Sequence, residues 1–507
     1  MLQDLNTPQA AAQWLRTHVT GQLRTDSRQV QSGDGFLAWP GAAVDARKHV
    51  AGALAAGASA CLVEHAGIES FAFNDARIAS YAGLKAASGP MASDWFDAPS
   101  EALAVLAVTG TNGKTSTAWW LAQALSNMEQ PANMPCGVVG TLGVGVPPNV
   151  VSTGLTTPDP VALQAAFADF RERGFKACAV EASSIGIEEH RLDGTRIHTA
   201  LFTNLTQDHL DYHGDMAAYG RAKAKLFAWP GLRAAVINVD DVFGAELALA
   251  LHQQAPLVDL WTVSMRPSGN DQARLQAQGI RYQADGVMFN VVESGRSLPV
   301  KTQLIGAYNV ANVLGVIAAM RTLGVSLQAA VQACTGLTPV PGRMECVQVP
   351  GRVMVAVDYA HTPDALAQAL QALQPLAAAR GGQLWCVFGC GGDRDTTKRP
   401  LMGAVAGANA DRVVVTSDNP RSEVPQAIIS QILLGLVGVK DVSAEPDRAQ
   451  AIRGTLQNAA ANDVVLVAGK GHEDYQEVAG KRLPFSDVAV VRAALGVVAP
   501  SGQEAIA

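Results

Sequence analysis

Leu103-Ala-Val-Leu-Ala-Val-Thr109 runs straight into Gly110-Thr-Asn-Gly-Lys-Thr-Ser116, and the reading of this junction decides the fold. Seven uncharged, mostly aliphatic residues bounded by a glycine predict a buried strand. A helix is predicted to follow from about Thr115 through Trp119, Leu121 and Leu125. Strand, glycine loop and helix N-terminus together make a phosphate cradle. Backbone N–H groups and the helix dipole face the anion, Lys114 adds a positive charge, and the Thr115 hydroxyl is placed to reach Mg2+. Val108 stands where the first glycine of the general Walker pattern would be, so the loop is a shorter variant, Gly-x-x-Gly-Lys-Thr. ATP is therefore the expected nucleotide, with Gly110, Thr111, Asn112, Gly113, Lys114, Thr115 and Ser116 around its phosphates. A loop of this kind serves ligases, kinases, motors and nucleotide switches alike.

Working outward, short apolar runs alternate with Ala/Leu-rich segments and glycine turns. Ala177–Val180, Ala234–Val239, Val353–Val357, Leu384–Phe388, Arg412–Thr416 and Val464–Ala468 all read as buried strands. That rhythm predicts an α/β protein with mainly parallel sheets. Polar Ser93–Glu101 and the proline-bearing Leu337–Gly342 each precede a fresh strand, predicting boundaries. Three domains are expected: 1–100, a central P-loop parallel-sheet ATPase domain over 101–338, and a Rossmann-like C-terminal domain over 339–507. Over 507 residues, 48% are hydrophobic and 16% charged, which excludes intrinsic disorder. A net charge of -7 with no basic block excludes nucleic acid as the main partner. The apolar runs are too short and broken to span a bilayer, and residues 1–20 lack the pattern of a secretory signal. Seven scattered Cys with no Cys-x-x-Cys pair argue against a disulfide framework or a zinc site, so a cytoplasmic location is expected.

Several further residues carry chemistry of their own. Glu181 follows a strand at its carboxyl end, where open α/β sheets bind ligands, and His209 follows the apolar run 200–202. Alone, each reads as an ordinary loop residue, and Lys223 in a predicted helix over 216–227 reads as a solvated lysine. Asn309 and Asn312 share one face at helical spacing, Arg343 stands beside an interdomain Pro-Gly, and Asp358 ends a strand. Asp418-Asn-Pro-Arg421 is by itself a turn. Gly389-Cys-Gly-Gly392 lacks the spacing of a dinucleotide fingerprint, and nothing pairs Cys390 with a base.

Taken together, Gly110–Ser116, Glu181-Ala-Ser-Ser184, Thr203–His213, Tyr308-Asn-Val-Ala-Asn312, Pro341-Gly-Arg343, Asp358-Tyr-Ala-His361, Phe388–Arg394, Asp418–Arg421 and Gly469-Lys-Gly-His-Glu473 resemble the ordered motifs of the Mur ligases, from about Thr25 to Asp487. These enzymes add amino acids to UDP-MurNAc in peptidoglycan synthesis. The resemblance implies ATP and Mg2+ as cofactors, with Thr115, Glu181, His209 and a carbamylated Lys223 as metal ligands, and Lys114, Lys223, Glu181 and His209 as catalytic groups. It implies ATP contacts at Asn309, Asn312, Arg343 and Asp358. For the muramyl-peptide substrate, UDP-MurNAc-L-Ala-D-Glu, it implies Ser27, Ala42, Ala43, Val44, Thr156, Thr157, Ser184, Glu189 and Arg191. Ile185 and Glu189 depart from relatives that carry His and Gln there. For the incoming amino acid, Arg394, Asp418, Asn419, Pro420, Arg421, Gly469 and Glu473 are implied. Guanidinium groups suit a distal carboxylate, so meso-diaminopimelate is expected rather than lysine. A lysine-adding ligase, a folylpolyglutamate synthase-like ligase and a non-ligating P-loop ATP switch are the alternatives, and a monomer is expected.

Overall fold

Three sheets organise the computed structural model, which describes residues 2–41, 44–130, 132–266, 273–283 and 286–497. The first is five-stranded and parallel, in the order Gln3–Leu5, Ile78–Tyr81, Ala60–Glu64, Gly35–Ala38, Leu23–Arg24. The central sheet has eleven strands, and its middle is parallel. There Asp259–Ser264, Ala234–Asn238, Thr199–Phe202, Ala104–Thr109, Ala177–Glu181 and Cys136–Gly140 lie side by side. The third sheet has six strands, parallel except for the edge strand Glu345–Val347, in the order Glu345–Val347, Met354–Asp358, Val464–Ala468, Leu384–Phe388, Arg412–Val415, Val442–Ala444.

Successive side chains of a strand point to opposite faces, so a strand covered on both must be apolar throughout. In Ala104–Thr109, Leu106 and Val108 pack with helices Lys114–Ser126 and Ala307–Thr322, while Val105 and Ala107 pack with Phe167 and Phe170 on the opposite face. Helix Lys114–Ser126 is itself enclosed, and ten of its residues are buried. That accounts for its lack of a polar face.

The parallel reading needs amendment at the sheet's rims. Gly143–Val146 and Asn149–Val151 at one end, and Gly286–Glu293 and Arg296–Thr302 at the other, run antiparallel to their neighbours. The returns at 141–142, 147–148 and 294–295 are two-residue loops, and only antiparallel pairs can be joined that tightly. Ser93 lies inside helix Leu84–Trp95 rather than in a linker. The helix contains Gly89 and Pro90. Its glycine permits contact with the central unit, since a Cβ at Gly89 would collide with the Asp193 carbonyl. The segment expected as one helix divides into Met216–Ala224 and a 3-10 turn, Lys225–Ala228. Among the described residues no helix is long and apolar enough to cross a membrane.

Candidate active site

The parallel register sets the centre of the site. Glu181 is level with Val108, and Phe202 with Thr109. The loop leaving Thr109 therefore emerges between Glu181 on one side and Thr203-Asn204 on the other. Gly110 and Gly113 have φ of 148° and 84°, where a side chain is strained. At Gly110 a Cβ would also collide with Thr203 Oγ1. The Asn204 Oδ1 accepts from the Asn112 N–H at 2.9 Å, and the Thr203 hydroxyl donates to the Asn112 carbonyl at 2.6 Å. The loop is thus tied down before any ligand arrives.

Lys114 Nζ donates to the carbonyls of Gly110 and Thr111, both at 2.9 Å, and Lys223 Nζ donates to Gly110 at 2.8 Å. Lys223 is 1% exposed. Burial, then the neighbouring Lys114, pushes its pKa well below the usual lysine value, and burial also lowers that of Lys114. The Thr115 hydroxyl donates to Glu181 Oε2 at 2.9 Å, and Glu181 Oε1 accepts from the Thr141 N–H at 2.8 Å. His209 Nε2 lies 3.4 Å from Asp208 Oδ2. Burial holds the imidazole pKa down at about 4, although Asp208 opposes the shift. Among the described residues, no group of three or more His, Cys, Asp or Glu is placed to hold a metal by itself. Mg2+ seldom uses such a cage. It takes one or two carboxylates with phosphate oxygens, and Glu181 beside the Thr115 hydroxyl fits that donor set.

Across the cleft stand groups of the third sheet. Arg343 Nη2 donates to Thr115 Oγ1 at 3.1 Å, and its guanidinium lies 4.3 Å from the Tyr359 ring centre. Arg343 Nε is buried without a partner. Asp358 Oδ2 accepts from the Met344 N–H at 2.6 Å, and burial raises its pKa against the pull of Arg343. Thr362 caps the helix Pro363–Arg380. Asn312 Nδ2 donates to Asn309 Oδ1 at 3.1 Å. An open cleft of about 1100 Å3 is lined by Thr111–Ser116, Thr156, Glu181, Ser184, His209, Lys223, Asn309, Asn312, Arg343 and Asp358. Sequence reasoning passed over Asp208, which also lines it. The Lys398 Nζ from the third sheet's side reaches Asp208 Oδ1 at 2.6 Å, and His361, His209 and Lys398 outweigh burial to hold the Asp208 carboxyl low. Its signal was slight, an Asp beside the His of a motif.

The other expected residues lie outside that lining. Ser27 opens the 3-10 turn Ser27–Gln29 in the first sheet's unit, and Val44 is exposed. Ala42 and Ala43 fall outside the described residues. Thr157 is buried and donates to the Glu181 carbonyl at 2.6 Å, and Arg191 donates to the Thr157 carbonyl at 3.0 Å. Glu189 is bound by Lys85 Nζ and by the Tyr212 hydroxyl, each at 2.6 Å, which joins the first unit to the His209 loop. In the third sheet, Arg421 Nη1 donates to the Gly392 carbonyl at 2.7 Å, Asn419 Nδ2 donates to Glu473 at 2.8 Å, and Arg394 is exposed. Pro420 approaches Gly392 so closely that a Cβ there would collide with the Pro420 carbonyl, and at Gly469 a Cβ would meet Asp418. His472 and Tyr359, with ring centres 5.2 Å apart, link this group to the cleft.

Family models match two stretches of the chain: the Mur ligase middle domain over residues 108–320, and the Mur ligase, glutamate ligase domain over 342–471. The UDP-N-acetylmuramoyl-L-alanyl-D-glutamate–2,6-diaminopimelate ligase of Acidovorax sp. (strain JS42) is 62% identical over 497 residues, covering 97% of this chain and 98% of the relative. The ligase of that name from Pseudomonas aeruginosa is 44% identical over 474 residues, 94% of each chain. A solved structure of such a ligase is similar with a TM-score of 0.63 at 36% identity, covering 94% of both chains. A Mycobacterium tuberculosis folylpolyglutamate synthase complexed with ADP and AMPPCP, at 18% identity and a TM-score of 0.60, shares the fold over 76% of this chain and 92% of its own.

Proposed function

This chain belongs to the Mur ligase family, and on that premise we propose how its cleft adds meso-2,6-diaminopimelate to the D-Glu γ-carboxylate of UDP-MurNAc-L-Ala-D-Glu. The chain is an ATP-dependent carbon–nitrogen ligase of peptidoglycan biosynthesis. The observation that carries the proposed mechanism is the cleft itself. It gathers the phosphate loop, Glu181, His209 and Lys223 from the central sheet with Arg343 and Asp358 from the third.

The γ-carboxylate oxygen attacks the γ-phosphorus of ATP, the bond to the β-phosphate oxygen breaks, and ADP leaves an acyl phosphate behind. The amine of diaminopimelate then attacks the acyl carbon, loses a proton, and expels phosphate through a tetrahedral intermediate. Phosphoryl transfer is chiefly positioning and charge stabilisation. Lys114 and the loop N–H groups hold the phosphates, Arg343 adds charge from the opposite wall, and Asp358 accepts from ribose hydroxyls. Asn309 and Asn312 sit between this cleft and a second, more apolar one that Asn312 also lines, so they are placed beside the nucleoside. Glu181, Thr115, His209 and Lys223 are the residues that would hold Mg2+, which supplies Lewis-acid stabilisation of phosphate charge. Lys223 serves as its carbamate. Its buried amine is biased toward the neutral form, whose nitrogen attacks CO2 and loses a proton, so that a cation becomes an anionic oxygen donor.

Ser27, Val44, Thr156, Thr157, Ser184 and Arg191 mark the path of the UDP-muramyl dipeptide from the first unit to the cleft. Asp418–Arg421, Arg394, Gly469 and Glu473 receive the amino acid, with Arg421 on its distal carboxylate. Each unit thus presents one substrate, and closure excludes water from the acyl phosphate. That all these groups come from one chain supports a monomer, and the use of ATP supports a cytoplasmic reaction. Phosphate release tests the reading: it should require both UDP-MurNAc-L-Ala-D-Glu and diaminopimelate, with lysine a poor replacement. Release without either acceptor would favour an ATP switch, and efficient lysine use would favour a lysine-adding enzyme.

A further inference from the structure

Lys470 is fully buried, and the mechanism above gives it no task. It follows the strand Val464–Ala468 and points into the amino-acid loops. Its ammonium donates to Asn419 Oδ1 at 2.9 Å and to Glu473 Oε2 at 2.7 Å. The Tyr475 ring lies beside it, 5.4 Å from Nζ. The Glu477 N–H donates to the same Asn419 oxygen at 2.9 Å. A lysine and a backbone amide can only donate, so together they fix which end of the Asn419 side chain is the oxygen. Its amide nitrogen must then face Glu473, and it does, at 2.8 Å.

Two consequences follow from that geometry. Asn419 can offer the substrate only N–H donation, because its oxygen is filled from behind. Glu473 has its charge already balanced, since Oε2 accepts from both Lys470 and Asn419. Removing Lys470 shifts the pocket by one negative charge, whatever the sum of the other groups. At neutral pH diaminopimelate bears two ammonium and two carboxylate groups and is net neutral, whereas lysine is net cationic.

We propose that Lys470 is a specificity-determining positioning residue, whose buried ammonium orients Asn419 and balances Glu473 so that the pocket prefers a net-neutral diamino diacid to a net-cationic diamino acid. The proposal rests on the reading of Asp418–Arg421 and Glu473 as the amino-acid site. Lys470 never touches substrate; it acts through the two side chains in front of it.

The experiment is steady-state kinetics on the full chain carrying Lys470→Met, with diaminopimelate and lysine as competing acceptors. Loss of hydrogen bonds from a charged group predicts a KM for diaminopimelate raised ~10- to 100-fold. The KM values for ATP and the UDP-muramyl dipeptide should stay within about twofold. The ratio of kcat/KM for diaminopimelate over lysine should fall by ~10-fold or more. That ratio does not depend on how much of the variant is folded. Should Lys470→Met yield no soluble protein, Glu473→Gln decides, because it moves pocket charge the other way and should raise the ratio. An unchanged diaminopimelate KM and ratio, or an equal loss for all three substrates, overturns the proposal. Arg421→Ala run alongside separates the two levels. It should lower diaminopimelate efficiency between ~30-fold and several thousand-fold. If Arg421→Ala is silent, the amino-acid site itself is wrongly placed; if only Lys470→Met is silent, Lys470 alone is wrongly assigned.

Discussion

Two lysine amines on one carbonyl oxygen set the chemistry of the loop. Lys114 and Lys223 both donate to Gly110, and burial together with Lys114 disfavours the charge on Lys223. An anion resolves that conflict, either a phosphate near Lys114 or a carbamate on Lys223. Lys114→Ala should therefore abolish turnover while calorimetry still shows binding of the UDP-muramyl dipeptide, whose proposed contacts start in the first unit. Lost binding of that substrate would contradict the division of substrates among the three units. Lys223→Ala should be nearly inactive, and millimolar acetate or formate should restore part of the rate by supplying carboxylate oxygens in the vacated space. Wild-type activity in Lys223→Ala would remove the carbamate role outright. The phosphate loop was legible because its backbone conformation admits little but glycine. Lys223 was not legible from its own surroundings in sequence; the resemblance alone distinguished it from a solvated lysine.

At the scale of elements, legibility followed burial. The inner strands of the second and third sheets are apolar on both faces, so a run such as Val464–Ala468 stands out and ends where expected. Rim strands, half wet, leave a weaker signal, and the polar stretch from Ser93 hid the last turn of Leu84–Trp95. Contacts between elements were illegible because sequence spacing does not report them. Arg448, opening helix Arg448–Asn458, makes two bonds of 2.7 Å to Asp487, which opens helix Asp487–Leu495, and both side chains are wholly buried. The same guanidinium donates to the carbonyls of Ser417 and Ala468. One ion pair thus joins two helices to the strand ends that carry the amino-acid loops. Removing one partner strands a buried charge, at a cost of about 3–5 kcal/mol. Asp487→Ala should lower the unfolding free energy of the third unit by that order, and Asp487→Asn by less, as read from the midpoint and slope of chemical unfolding. An unchanged midpoint would mean water reaches Arg448.

For the whole molecule, the question is what holds the third unit over the phosphate loop. Its core takes Ile305 and Tyr308 from the central unit at its margin, and Val340 packs into the central core. Polar links include Arg343 to Thr115, Asn112 to Asp364 at 3.2 Å, and Lys398 to Asp208 at 2.6 Å. Interfaces of this polar kind favour relative motion of the units. The Lys398 link carries most weight, because both side chains are largely buried, 14% and 8% exposed. Asp208 also precedes His209, so docking of Lys398 bears on the proposed metal ligand. Truncating one partner of such a pair costs about 2–5 kcal/mol, enough to shift a docked-to-undocked equilibrium by ~30-fold or more. Lys398→Met should thus lower kcat by ~10-fold or more, since chemistry needs the docked form, and Lys398→Arg should retain most of it. Binding of the UDP-muramyl dipeptide should change less than twofold, because its proposed contacts lie on the first and central units. Small-angle scattering should show a larger radius of gyration for Lys398→Met than for the unsubstituted chain, both with ADP present. Equal radii together with an unchanged kcat would show that the Lys398 bridge does not hold the units together.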